Sequence, residues 1–67
     1  MITLKAARVN KNLKQRDACK ALGISLATLC KYEKGRTFPD VPTIKKMEKL
    51  YDINYNDIDF FVAEEND

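Results

Sequence analysis

Apolar residues recur along this chain in short runs at helical spacing. Ile2, Leu4, Ala7 and then Leu13 are apolar, with Lys5, Arg8 and Lys11 set between them, which predicts a helix over residues 2–11. Asn12 follows, a residue that tolerates the left-handed conformation and so can close a helix. Ala18, Cys19 and Leu22 share one face of a second helix over residues 15–22, and Gly23 ends it because it has no Cβ to oppose a positive φ. Ser25 caps a third helix with Leu29 and Tyr32 facing inward; Lys34 and Gly35 mark its end. Pro42 suits the first turn of a fourth helix, whose stripe is Ile44, Met47, Leu50 and Tyr51, with Lys45, Lys46 and Lys49 outside it. Asn54 and Asp57 open a fifth, with Tyr55, Ile58, Phe61 and Val62 as its apolar positions. The pattern shows no credible strand. It predicts an all-α fold, a compact five-helix bundle in a single domain over residues 1–67, with an acidic tail at 63–67.

Two positions do not fit the inward stripes. Leu26 and Ala27, in the first turn of the third helix, lie off the line of Leu29 and Tyr32. The second and third helices are separated by about three residues around a glycine, a spacing that makes them cross steeply. An apolar outward turn on the second member of such a pair needs a reason.

Charge narrows the choice. Residues 1–50 carry all twelve Lys and Arg but only Asp17, Glu33, Asp40 and Glu48, a balance of +8. Residues 51–67 carry six acids and no base. A body at +8 attracts polyanions, and the acidic end belongs away from that surface. The bland alternative is that the lysines and arginines only solvate helix faces. Nothing resembles a signal peptide or a bilayer-spanning run, so a cytoplasmic location is expected.

Chemistry narrows it further. The chain has two cysteines, Cys19 and Cys30, and no histidine. Zinc sites and Cys-His nucleophiles need more than that. The thiols are expected to be small core residues, with no metal, cofactor or small-molecule ligand. Asp52, Asp57 and Asp59 are expected on a short terminal helix with no cleft to desolvate them, so no enzyme constellation appears.

The run LKQRDACKALGISLATLCKYEKGRTFP resembles the helix-turn-helix of the lambdoid phage repressor and Cro proteins and their bacterial relatives. Gln15 opens the second helix, Cys19 is small, Gly23 sits in the turn, and Ile24, Leu29 and Tyr32 are core positions. Glu33 followed by Gly35 completes the match, which spans roughly residues 4–62. Two departures stand out: Cys19 where Ala is usual, and Asp52 where the family often has Gly.

The resemblance implies a lambda repressor-like DNA-binding domain with the third helix in the major groove. Leu26 and Ala27 would then meet thymine methyls, and Lys31 would donate to guanine. Leu26 as a staple onto a neighbouring helix, and Lys31 as a phosphate ligand or a solvated lysine, are the alternatives. Lys14, Gln15, Ser25, Thr28, Lys34, Arg36 and Thr37 are implied as contacts to the phosphate backbone. The family commonly pairs a first-helix arginine with this glutamate, so Arg8 and Glu33 are expected to form a structural ion pair, worth ~2–4 kcal/mol if one side is removed. Tyr55, Phe60 and Phe61 offer more aromatic surface than a small bundle buries and are expected at a dimer interface, unless they complete the core. The implied protein is a small Cro-like transcriptional regulator of prophage or mobile-element type, a dimer on a palindromic operator, with no room for a separate effector domain. The other class that fits is a protein-interaction module, an antitoxin or anti-repressor partner built on the same fold.

Overall fold

A computed structural model of the chain describes residues 1–61. Its elements are strand β1 (Ile2–Thr3), helices α1 (Leu4–Asn10), α2 (Gln15–Leu22), α3 (Leu26–Glu33) and α4 (Val41–Tyr51), a 3-10 turn (Tyr55–Asp57) and strand β2 (Ile58–Asp59). Three of the helices open on side-chain caps. Thr3 Oγ1 accepts the Ala6 N–H at 3.0 Å, Ser25 Oγ accepts that of Thr28 at 3.1 Å, and Asp40 Oδ1 accepts that of Thr43 at 3.0 Å. α2 differs. Its N-cap is Lys14, which has no acceptor to offer, although the Asp17 carboxylate accepts the Lys14 N–H at 3.1 Å.

Left-handed residues end the elements where the sequence puts them. Gly23 has φ 71° and donates its N–H to the Cys19 carbonyl at 2.8 Å, closing α2 before the turn into α3. Asn12 at φ 57° and Asp52 at φ 52° do the same after α1 and α4 with side chains that carry a Cβ.

Four helices, not five, are present among the described residues, and the difference lies at both ends. The first helix starts at Leu4 because Thr3 caps it while Ile2 and Thr3 pair in parallel with Ile58 and Asp59. The expected fifth helix is one 3-10 turn, held by Asn54 Oδ1 accepting from the Asn56 N–H at 2.9 Å, after which the chain extends into β2. The reason is legible afterwards: Asp57, Ile58, Asp59 and Phe60 alternate with a period of two. That spacing puts Ile58 and Phe60, each 4 % exposed, on the core side of a strand. Val62 and the acidic tail at 63–67 lie outside the described residues.

The core is continuous. Leu4 and Ala7 of α1, Ala18, Cys19 and Leu22 of α2, Leu29 of α3, and Ile44, Met47 and Tyr51 of α4 meet Ile58 and Phe60. Cys19 is a buried free thiol whose pKa burial pushes up, which suits its place in the small position facing the neighbouring helix. No helix among the described residues is long and apolar enough to cross a membrane.

Candidate nucleic-acid interface

The polar heart of the molecule is the contact between α1 and α3. Arg8 Nε donates to Glu33 Oε2 at 2.7 Å, Arg8 Nη2 to Glu33 Oε1 at 3.3 Å, and Arg8 Nη1 to the Leu13 carbonyl at 2.8 Å. Both side chains are almost enclosed, at 8 % and 5 % exposure. The hydrogen bond to Glu33 raises the Arg8 pKa further above its ordinary value, against a smaller opposing effect of burial. This pair closes the base of α3 onto α1 and the loop before α2.

The outer face of α3 is different in kind. Leu29 is fully buried, yet Leu26, one turn earlier, is 53 % exposed, and Ala27 and Lys31 are exposed as well. More than half of Leu26 is in solvent. Thr28 is half-buried; its hydroxyl oxygen accepts from Ser25 Oγ at 2.9 Å. One helix therefore buries Leu29 and Glu33 and presents Leu26, Ala27 and Lys31 outward.

The remaining residues expected at DNA flank α2 and α3 along the chain. Lys14 is exposed at the start of α2, and so is Arg16, a further cation whose charge and position are visible in the sequence. Lys34, Arg36 and Thr37 are exposed just after α3. Gln15 is placed otherwise than expected: it is half-buried, and its Nε2 donates to Glu33 Oε1 at 3.2 Å and to Cys30 Sγ at 3.6 Å. Lys5, Gln15, Cys30, Glu33 and Lys34 line a cleft of about 110 Å³ at this point. The sequence points to Cys30 only as a small thiol and to Lys5 only as a polar position of the first helix, not to a shared cleft. The signal for Cys30 was its spacing of three from Glu33, which puts both on one side of a helix.

Phe60, expected at a dimer surface, is instead a core residue. The rings around it grade from buried to exposed: Phe38 meets Phe60 edge-on at 5.1 Å between centroids, Tyr55 lies 5.6 Å from Phe60, and Phe38 stacks on Phe61 at 5.5 Å. Phe61 is 78 % exposed. Phe38, Val41, Ile44 and Tyr55 line a shallow apolar groove of about 340 Å³, edged by Lys45 and Glu48.

Two short helices joined through a left-handed glycine, the second presenting a short exposed face, are the arrangement of the DNA-binding helix-turn-helix class. The helix-turn-helix family model HTH_3 matches residues 4–58, and the chain belongs to this XRE-type family of Cro- and lambda repressor-like proteins. No curated protein and no solved structure matches the chain. Family membership makes this a DNA-binding transcriptional regulator that acts on double-stranded DNA.

Proposed function

We propose that the protein is a small Cro-like repressor, of prophage or mobile-element type, that reads a palindromic operator as a dimer. The observation that carries this reading is the split character of α3. Its base is locked by a buried ion pair while its first turn holds Leu26 out in solvent. On this reading α3 enters the major groove with Leu26 and Ala27 against thymine methyls and Lys31 on guanine O6 or N7.

Lys14, Ser25, Thr28, Lys34, Arg36 and Thr37 bracket the phosphate backbone, with Arg16 beside them. Gln15 joins them through its main-chain N–H, because the first turn of α2 has no side-chain cap to occupy its donors. The exposed rings of Tyr55 and Phe61, continuous with Phe38 and Val41, supply the dimer contact; Phe60 backs it from inside. Two third helices then sit about one turn, ~34 Å, apart, and occupation of a promoter excludes the polymerase.

The test is selection from a random duplex library with the purified protein and with Lys31→Ala. A palindromic motif whose preferences relax at particular bases in the variant is the expected outcome. Binding should also fall roughly 10³-fold between 50 and 200 mM salt if ~6 phosphates are neutralised. A second reading, a protein-interaction module, draws on the apolar groove of Phe38, Val41 and Tyr55. It predicts a complex that hardly responds to salt and no recoverable motif.

A further inference from the structure

The Gln15 side chain is held from inside the protein. Its amide nitrogen carries two protons and meets two acceptors, Glu33 Oε1 at 3.2 Å and Cys30 Sγ at 3.6 Å. The reverse orientation of the amide would set its carbonyl oxygen against the Glu33 carboxylate, acceptor facing acceptor, so the partners fix which end is which. Phosphate oxygens only accept. In the free protein both amide protons are taken up inside the molecule.

Glu33 is itself immobilised. Arg8 occupies both of its oxygens and, through Nη1, also holds the Leu13 carbonyl, two residues before Gln15. One carboxylate thus accepts from α1 and from the first residue of α2 while belonging to the last turn of α3. The two elements that bring donors and base-facing groups to DNA are tied at a single point.

We propose that Glu33 is a positioning residue for DNA binding, acting through Gln15, whose side chain is a strut between α2 and α3. This rests on the DNA-binding reading above. Cys30 completes the seat: its sulfur is a weak acceptor for the second amide proton, and it lines the cleft from which Lys5 and Lys34 approach. Shortening Gln15 or neutralising Glu33 lets the start of α2 shift against α3, and both lose affinity through the same displacement.

The experiment uses the full chain in two arms. In the protein alone, NMR of the Gln15 side-chain amide should show both proton resonances displaced by Glu33→Gln and one of them by Cys30→Ala. In the second arm, fluorescence anisotropy measures affinity for the best 20-base-pair duplex from the selection, under conditions where circular dichroism shows every variant folded. Gln15→Ala and Glu33→Gln should each weaken binding roughly 10-fold, the scale of one lost charge-assisted hydrogen bond. The double variant should be no worse than about 2-fold below the weaker single one, because one contact cannot be broken twice.

Losses that multiply to roughly 100-fold would overturn the strut and return Gln15 to an independent contact. So would a Gln15 amide whose resonances move to new positions on adding the duplex and no longer respond to Glu33→Gln. A Glu33 that served stability alone would lower the urea midpoint without making the two losses non-additive. If Glu33→Gln does not fold, the cycle of Gln15→Ala with Cys30→Ala decides by the same criterion. Wild-type protein that binds no duplex at low salt would sink the DNA reading, while the first arm still decides whether Gln15 is held by Glu33.

Discussion

Arg8→Ala is the most informative single perturbation of stability in this chain. It removes two of the three N–H donors that the Glu33 carboxylate accepts, those from Arg8 Nε and Nη2, leaving Gln15 Nε2. It also strips the Leu13 carbonyl of the Nη1 donor. Both side chains are below 10 % exposed, so the surface-pair discount does not apply and the cost is that of stranding a buried charge, about 3–5 kcal/mol. A domain of this size holds a total stability of ~3–10 kcal/mol, so the variant should be largely unfolded or melt at least ~12 °C lower. Urea unfolding followed by circular dichroism measures it, with Arg8→Met/Glu33→Leu as the partner experiment. That double variant should recover most of the loss, because an apolar pair of similar volume leaves no charge uncompensated. An Arg8→Ala protein within ~1 kcal/mol of wild type, at unchanged urea dependence, would refute the reasoning.

Three further outcomes follow from individual groups. Burial pushes the Tyr51 phenol up to about 12 from its ordinary 10.0, so above pH 10 the unfolded chain binds fewer protons than the folded one. Stability should therefore fall between pH 10 and 12, by up to ~3 kcal/mol, and Tyr51→Phe should abolish that slope in urea titrations. At neutral pH the same substitution should leave stability equal or higher, since the buried hydroxyl has no hydrogen-bond partner among the described residues. The Thr43 side chain and N–H, bonded to the Asp40 carboxylate, hold its pKa below the ordinary 3.8. The cap's contribution is thus present above that value and lost as pH falls through the depressed one, so the stability difference between wild type and Asp40→Ala should vanish in acid, as thermal melts across that range would show. Asp52→Gly should raise stability by ~0.5–1 kcal/mol, because φ 52° costs a Cβ-bearing residue more than the exposed 3.6 Å bridge to Lys11 returns; calorimetry checks the sign.

The helical part of the fold was legible because it rests on local signals. Ser25, Gly23, Asn12 and Pro42 each carry their reason within a residue or two, and all four occupy the positions those reasons require. The last element was misread for a physical cause. Tyr55, Ile58, Phe61 and Val62 fit a helical face, while Ile58 and Phe60 fit a strand face, and a short apolar run supports either period. What decided it was Ile2 and Thr3, more than fifty residues away, offering an edge to pair with. No local pattern contains that information.

The site divides along the same line. The exposure of Leu26 could be anticipated because a helix with one buried stripe must turn its other positions outward. The fate of Gln15 could not, because its side chain is set by two acceptors on α3 that come within reach only after the turn has folded. On the proposed reading Glu33 has two tasks that a single substitution disturbs together: its bonds to Arg8 sustain the fold, and its bond to Gln15 orders the ends of α2 and α3 that would face DNA. Loss of binding in a Glu33 variant is therefore evidence about DNA only when its urea midpoint is known. The Gln15 variants separate the two effects, since they leave the Arg8 bonds to Glu33 and to Leu13 in place.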